Sequence, residues 1–83
     1  MKHSSYLKVF EDFKFSPQES NVCLWVCEGL THKEIGVRLG LSEHTVKGYM
    51  HKAKFRLFAK GHRVTTKLEF ISTMMKLAEK YEA

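Results

Sequence analysis

Proline occurs once, at Pro17, and the five glycines are scattered, so the chain has neither the turn chemistry of a multi-stranded sheet protein nor a low-complexity linker. The two cysteines, Cys23 and Cys27, are four residues apart within one helical pattern. They share a helix face and make no disulfide framework, and a zinc site would need two further ligands. His32 and His44 stand elsewhere without ligand spacing, so buried thiols are expected, with no metal and no cofactor. No apolar run is long enough to cross a bilayer, and Met1-Lys2-His3-Ser4-Ser5 lacks the apolar core of a signal peptide. The expectation is a cytoplasmic protein that makes no membrane contact. No Ser/His/Asp or Cys/His arrangement has a supporting scaffold, so an enzyme is not expected. At 83 residues the chain suits one domain that buries roughly 60% of its unfolded surface, with no room expected for a separate sensor domain.

What the sequence does have is charge in one place. The surplus of +5 is concentrated between Thr31 and Arg63, where Lys33, Arg38, Lys47, Lys52, Lys54, Arg56, Lys60 and Arg63 meet only Glu34 and Glu43. His32, His44, His51 and His62 fall in the same window and can add charge near a polyanion. A basic stripe of this kind is either a solvated helix face or the electrostatic footprint of nucleic-acid binding. Sequence features beyond charge have to decide between them.

Apolar spacing and start and stop signals predict an all-α chain. Tyr6, Val9, Phe10 and Phe13 recur at helical spacing, predicting a short amphipathic helix over roughly 5–13. Ser16-Pro17-Gln18-Glu19 is a start signal, with Ser16 as N-cap, Pro17 at the first helical position and Glu19 completing a capping box. The helix that follows runs to about Glu28, carries Val22, Cys23, Val26 and Cys27 on one face, and stops at Gly29. Thr31 and Glu34 cap a second helix that turns Ile35 and Leu39 inward and ends at Gly40. Ser42 restarts the chain within three residues. Along the third helix, expected to reach about Lys60, Val46, Met50, Ala53 and Leu57 form a core stripe while Lys47, His51 and Lys54 lie elsewhere. A last helix spans about 66–81, with more apolar residues than one stripe needs.

Two helices joined by a tight glycine turn, the second capped and basic outside, form the helix-turn-helix pattern. Gly36, inside the helix before the turn, costs about 1 kcal/mol relative to Ala and suggests the close crossing of another helix. At these residues the chain resembles the LuxR/GerE/FixJ-type DNA-binding domain, nearest its quorum-sensing branch. The shared features are Ser16-Pro17-Gln18-Glu19, Glu28-Gly29-Leu30, Lys33-Glu34-Ile35 and Ser42 through Lys47, with Trp25 and Ala53 in support. The likeness covers roughly residues 15–75. It implies a four-helix domain over 15–83, a short helix within the extension 1–14, and a dimerisation helix at about 66–81. The source implied is bacterial or phage.

By this resemblance Lys47, Gly48 and His51 would read bases in the major groove, where a Lys ammonium can donate to guanine O6 or N7 and a histidine can donate or accept. Thr31, Lys33, Ser42, Thr45, Lys52 and Lys54 would hold phosphates. Leu68, Ile71, Met74, Met75 and Ala78 would pair two copies, so the implied function is a homodimeric regulator of transcription bound to double-stranded DNA. Two other readings stay open. One is an interaction protein that heterodimerises with a full-length LuxR-type regulator and antagonises it. The other is a sigma-factor-like module that touches both RNA polymerase and promoter DNA. The chain departs from the family where Lys-Leu-Gly would end the recognition helix, having Arg56-Leu57-Phe58 instead. The helix is therefore expected to be extended, which makes Phe55 and Phe58 candidate exposed aromatics, with the Tyr6/Phe10/Phe13 face as the candidate cover over them.

Overall fold

The computed structural model describes residues 3–82, so the first two residues of the expected extension and the last of the chain lie outside it. The described residues form five helices and no strand. They are α1 His3–Asp12, α2 Pro17–Cys27, α3 His32–Leu39, α4 Glu43–Ala59 and α5 Lys67–Glu79.

Local chemistry sets the helix starts. Ser16, Thr31, Ser42 and Thr66 each take an extended conformation and accept the N–H three residues on, so four helices begin on a hydroxyl cap. At α2, α3 and α5 the residue three on is Glu19, Glu34 or Glu69, which returns a hydrogen bond and completes the box. Helix ends follow an equally local rule. After α2, α3 and α4 the chain reverses at Gly29, Gly40 and Gly61, all with positive φ. The next N–H in each case reaches back five residues, Leu30 to Trp25 O, Leu41 to Gly36 O and His62 to Leu57 O. After α1 the same closure, Phe15 N–H to Phe10 O, is made with Lys14 at φ 57°.

One core joins all five helices. Val22, Cys23 and Val26 of α2, Ile35 of α3 and the α4 stripe Val46, Met50, Ala53 and Leu57 are buried together. From the other side Phe70, Met74, Leu77 and Ala78 of α5 close on Tyr6, Val9 and Phe10 of α1. The expected α4 stripe is therefore the observed one. Burial pushes the Cys27 thiol up to about 12, and that of Cys23 well above its ordinary value, so both are protonated packing groups.

Three expectations need correcting. Gly36 is not where another helix crosses: a Cβ there would lie 2.5 Å from the carbonyl oxygen of Leu41, in the turn's own backbone. Tyr6 and Phe10 do not cover the α4 aromatics, because both are buried in the core. Phe55 and Phe58 stay 69% and 56% exposed. Met74 and Ala78 lie wholly within the protomer's own core and cannot belong to a dimer surface.

Long-range polar ties fix the helices relative to one another. Glu19 is only 3% exposed, and Arg56 of α4 grips it with Nε 2.6 Å from Oε1 and a second guanidinium nitrogen 3.4 Å from Oε2. Burial pushes the Glu19 carboxyl up. The hydrogen bonds from Arg56 and the Ser16 amide, with the charges of Arg56 and Lys52, outweigh this and hold it below its ordinary value. Lys67 Nζ donates to Leu30 O at 2.9 Å, tying the start of α5 to the α2–α3 turn. Lys60 Nζ donates to Asp12 O at 2.7 Å, tying the end of α4 to that of α1.

Candidate nucleic-acid interface

Helices α3 and α4 pack on one another across the turn Gly40-Leu41-Ser42, and α4 also packs along α2. Burial of one α4 stripe forces the opposite stripe outward, because the period is 3.6 residues. His44, Lys47, Gly48 and His51 accordingly stand exposed on the first turns of α4, beside its capped N-terminus. The three residues expected to read bases thus share one accessible surface. Nothing lies within 4 Å of where a Gly48 side chain would begin, so that surface has an open gap there. Lys47 leans back one turn, its Nζ 3.6 Å from Glu43 Oε2, with both side chains about half exposed. Such a pair contributes a few tenths of a kcal/mol and is readily exchanged for another acceptor.

Of the expected phosphate ligands, Ser42, Thr45, Lys52 and Lys54 belong to α4 and its cap, and Thr31 and Lys33 to the start of α3. Thr31, Lys33, Ser42, Thr45 and Lys52 are exposed, and Lys54 is half-buried. Their hydroxyls are not equivalent. Ser42 Oγ accepts the Thr45 N–H at 3.0 Å and donates to Thr45 Oγ1 at 2.8 Å, which commits its proton internally. Thr45 is left holding the proton that can point outward. Thr31 Oγ1 accepts the Glu34 N–H at 3.1 Å, and the Thr31 amide and hydroxyl both hydrogen-bond the Glu34 carboxylate in return, so this hydroxyl proton is committed internally as well. The start of α4 adds backbone N–H groups and the positive end of a helix dipole.

His32, absent from the expected site residues, joins the electrostatics of this edge. Its Nε2 is buried without a hydrogen-bond partner. Burial lowers the pKa of the ring, as do the charges of Lys67, Lys47 and Lys54, against a smaller opposing effect of Glu43. Charges on lysines from α4 and α5 thus act on the start of α3, although they are far from it in sequence. Trp25 lies half-buried beneath the Arg38 guanidinium, 4.9 Å from the ring centroid, and serves as cover for the α2–α3 junction.

Comparison with known families matches residues 14–69, well over half of the chain, to bacterial regulatory proteins, luxR family. Comparison with curated proteins and with solved structures returns no match. The matched stretch holds α2, α3, the glycine turn and all of α4, the elements that build the basic surface just described. The chain belongs to the luxR family of bacterial regulatory proteins and is a helix-turn-helix, DNA-binding regulator of transcription.

Proposed function

We propose that the protein regulates transcription as a twofold dimer on an inverted-repeat site, each copy laying the first turns of α4 in the major groove. The observation that carries this reading is the single exposed surface formed by Lys47, Gly48 and His51 beside the capped start of α4. These three residues read base edges. Thr31, Lys33, Ser42, Thr45, Lys52 and Lys54 hold the flanking phosphates, with Thr45 as a hydroxyl donor and Ser42 acting through the geometry it gives Thr45.

Dimerisation falls to the outer face of α5. Leu68 is 77% exposed, and it borders a shallow apolar hollow with Ile71 and Met75. Leucine and methionine so placed favour pairing with an equivalent helix. The same face would suit heterodimerisation with another LuxR-type regulator, and the cell compartment for either role is the cytoplasm.

Selection of bound sites from random duplexes at fixed salt tests the proposal. An inverted repeat with half-site centres about 10 bp apart, or a multiple of that, is expected. Enrichment of no sequence, with binding that disappears as salt rises, would show phosphate attraction alone and overturn it.

A further inference from the structure

The base-reading surface occupies only the first turns of α4, yet its outward stripe continues. Phe55 lies seven residues past Gly48, about 10 Å further along the axis, and Phe58 follows one turn later. Both are largely exposed aromatics on a helix otherwise basic outside. Phe55 forms a ridge between two open hollows. One, of about 560 Å³, has Phe13, Phe55 and Ala59 for its apolar surface and Lys14, Lys52 and Lys60 around it. The other, of about 430 Å³, lies towards Phe58 and Val64 and is bordered by Lys54 and Arg63. His51 borders both hollows, and no carboxylate lines either.

We infer that this Phe55/Phe58 face is the docking surface for an acidic protein segment carrying apolar anchor residues, and that its occupation covers His51 and competes with DNA. The charge chooses among occupants. A second copy of the chain would set lysines against lysines if it docked through the same face. Duplex phosphates would satisfy the cations, but they leave two aromatic rings without an apolar partner. A small anionic amphiphile fills one hollow and leaves the other open. An amphipathic acidic segment meets both demands, with carboxylates towards the lysines on either side and apolar side chains straddling the ridge. Exposed aromatic anchors inside a charged rim are the usual energetic centre of such an interface. The competition with DNA rests on the proposed function, whereas the docking surface itself does not.

The test is selection of 15-residue peptides from a displayed random library against the intact protein without DNA, followed by fluorescence anisotropy with a labelled winner. Enriched sequences should be rich in Asp and Glu, with aromatic or aliphatic anchors. Phe55→Ala and Phe58→Ala should each weaken the winner by roughly tenfold or more, while Val37→Ala, exposed on α3, leaves it unchanged. Both α4 variants should keep wild-type affinity for the selected duplex, and that duplex should displace the peptide. Winners that lack acidity, or that bind the Phe55 and Phe58 variants as well as the wild type, would overturn the inference. So would loss of duplex sequence preference in Phe55→Ala, which would assign the aromatics to DNA. A protein that binds the winner at Phe55 but no duplex would keep the docking surface and remove the DNA reading instead.

Discussion

Two glycines on either side of the turn have opposite reasons for being glycine. At Gly36 a Cβ would meet the Leu41 carbonyl oxygen at 2.5 Å, a backbone atom that can move only if the turn opens. Helix propensity alone would make Gly36→Ala about 1 kcal/mol more stable, but the clash should reverse the sign. Denaturant unfolding is expected to show a loss of about 2 kcal/mol. At Gly48 the space is open, so Gly48→Ala should gain up to about 1 kcal/mol in the same assay. If that gap admits a base edge, the more stable variant will bind its selected duplex more weakly, a split that helix propensity by itself would not produce. Arg56 offers a test in pH. A carboxylate whose folded pKa is depressed contributes stability above its unfolded value and loses it as pH falls through the folded one. Arg56→Met removes the cation from a buried Glu19, at a cost of about 2 kcal/mol at pH 7, discounted because Arg56 itself is more than a third exposed. The orphaned carboxyl will then bind its proton more readily in the folded state. The gap between variant and wild type should narrow from pH 7 to pH 4.

At the scale of elements, the legible part of the fold was the part written in neighbouring residues. Ser16/Glu19 and Thr31/Glu34 announce helix starts because cap and partner are three residues apart, and Gly29, Gly40 and Gly61 announce ends because the left-handed residue suits glycine. Periodicity likewise placed Val46, Met50, Ala53 and Leu57 inward. The Arg56 grip on Glu19 and the Lys67 tie to Leu30 each span 37 residues, and no local signal carries them. The same distinction explains the errors. Counting apolar residues on α5 could not show that Met74 and Ala78 face α1 while Leu68 and Met75 face outward, because that depends on where α1 packs. The expected cover over Phe55 failed for the same reason: Tyr6 and Phe10 were already taken up by the core. For Lys47, Gly48 and His51, proposed to read bases, the shared exposed position on α4 was legible from the motif. The combined effect of the Lys67, Lys47 and Lys54 charges on His32 was not, since it joins three helices.

In the whole molecule, the basic face of α4 and the apolar outer face of α5 are built on one shared core. If α5 pairs two copies, Leu68→Glu combined with Met75→Glu should leave each protomer folded, because both residues are exposed. Sedimentation should then show a monomer where the wild type is a dimer, and binding to a two-half-site duplex should fall by far more than binding to a half-site. The most direct measurement of the central claim is the ratio of affinity for the selected duplex to that for a scrambled duplex at one fixed salt concentration. It should be taken for the wild type, Lys47→Ala, His51→Ala and Lys33→Ala. Lys47→Ala and His51→Ala are predicted to lower the ratio by roughly tenfold or more, each removing about 1–3 kcal/mol of discrimination, whereas Lys33→Ala weakens both duplexes alike and preserves the ratio. A ratio unchanged in Lys47→Ala and His51→Ala would contradict the assignment of base reading to the first turns of α4.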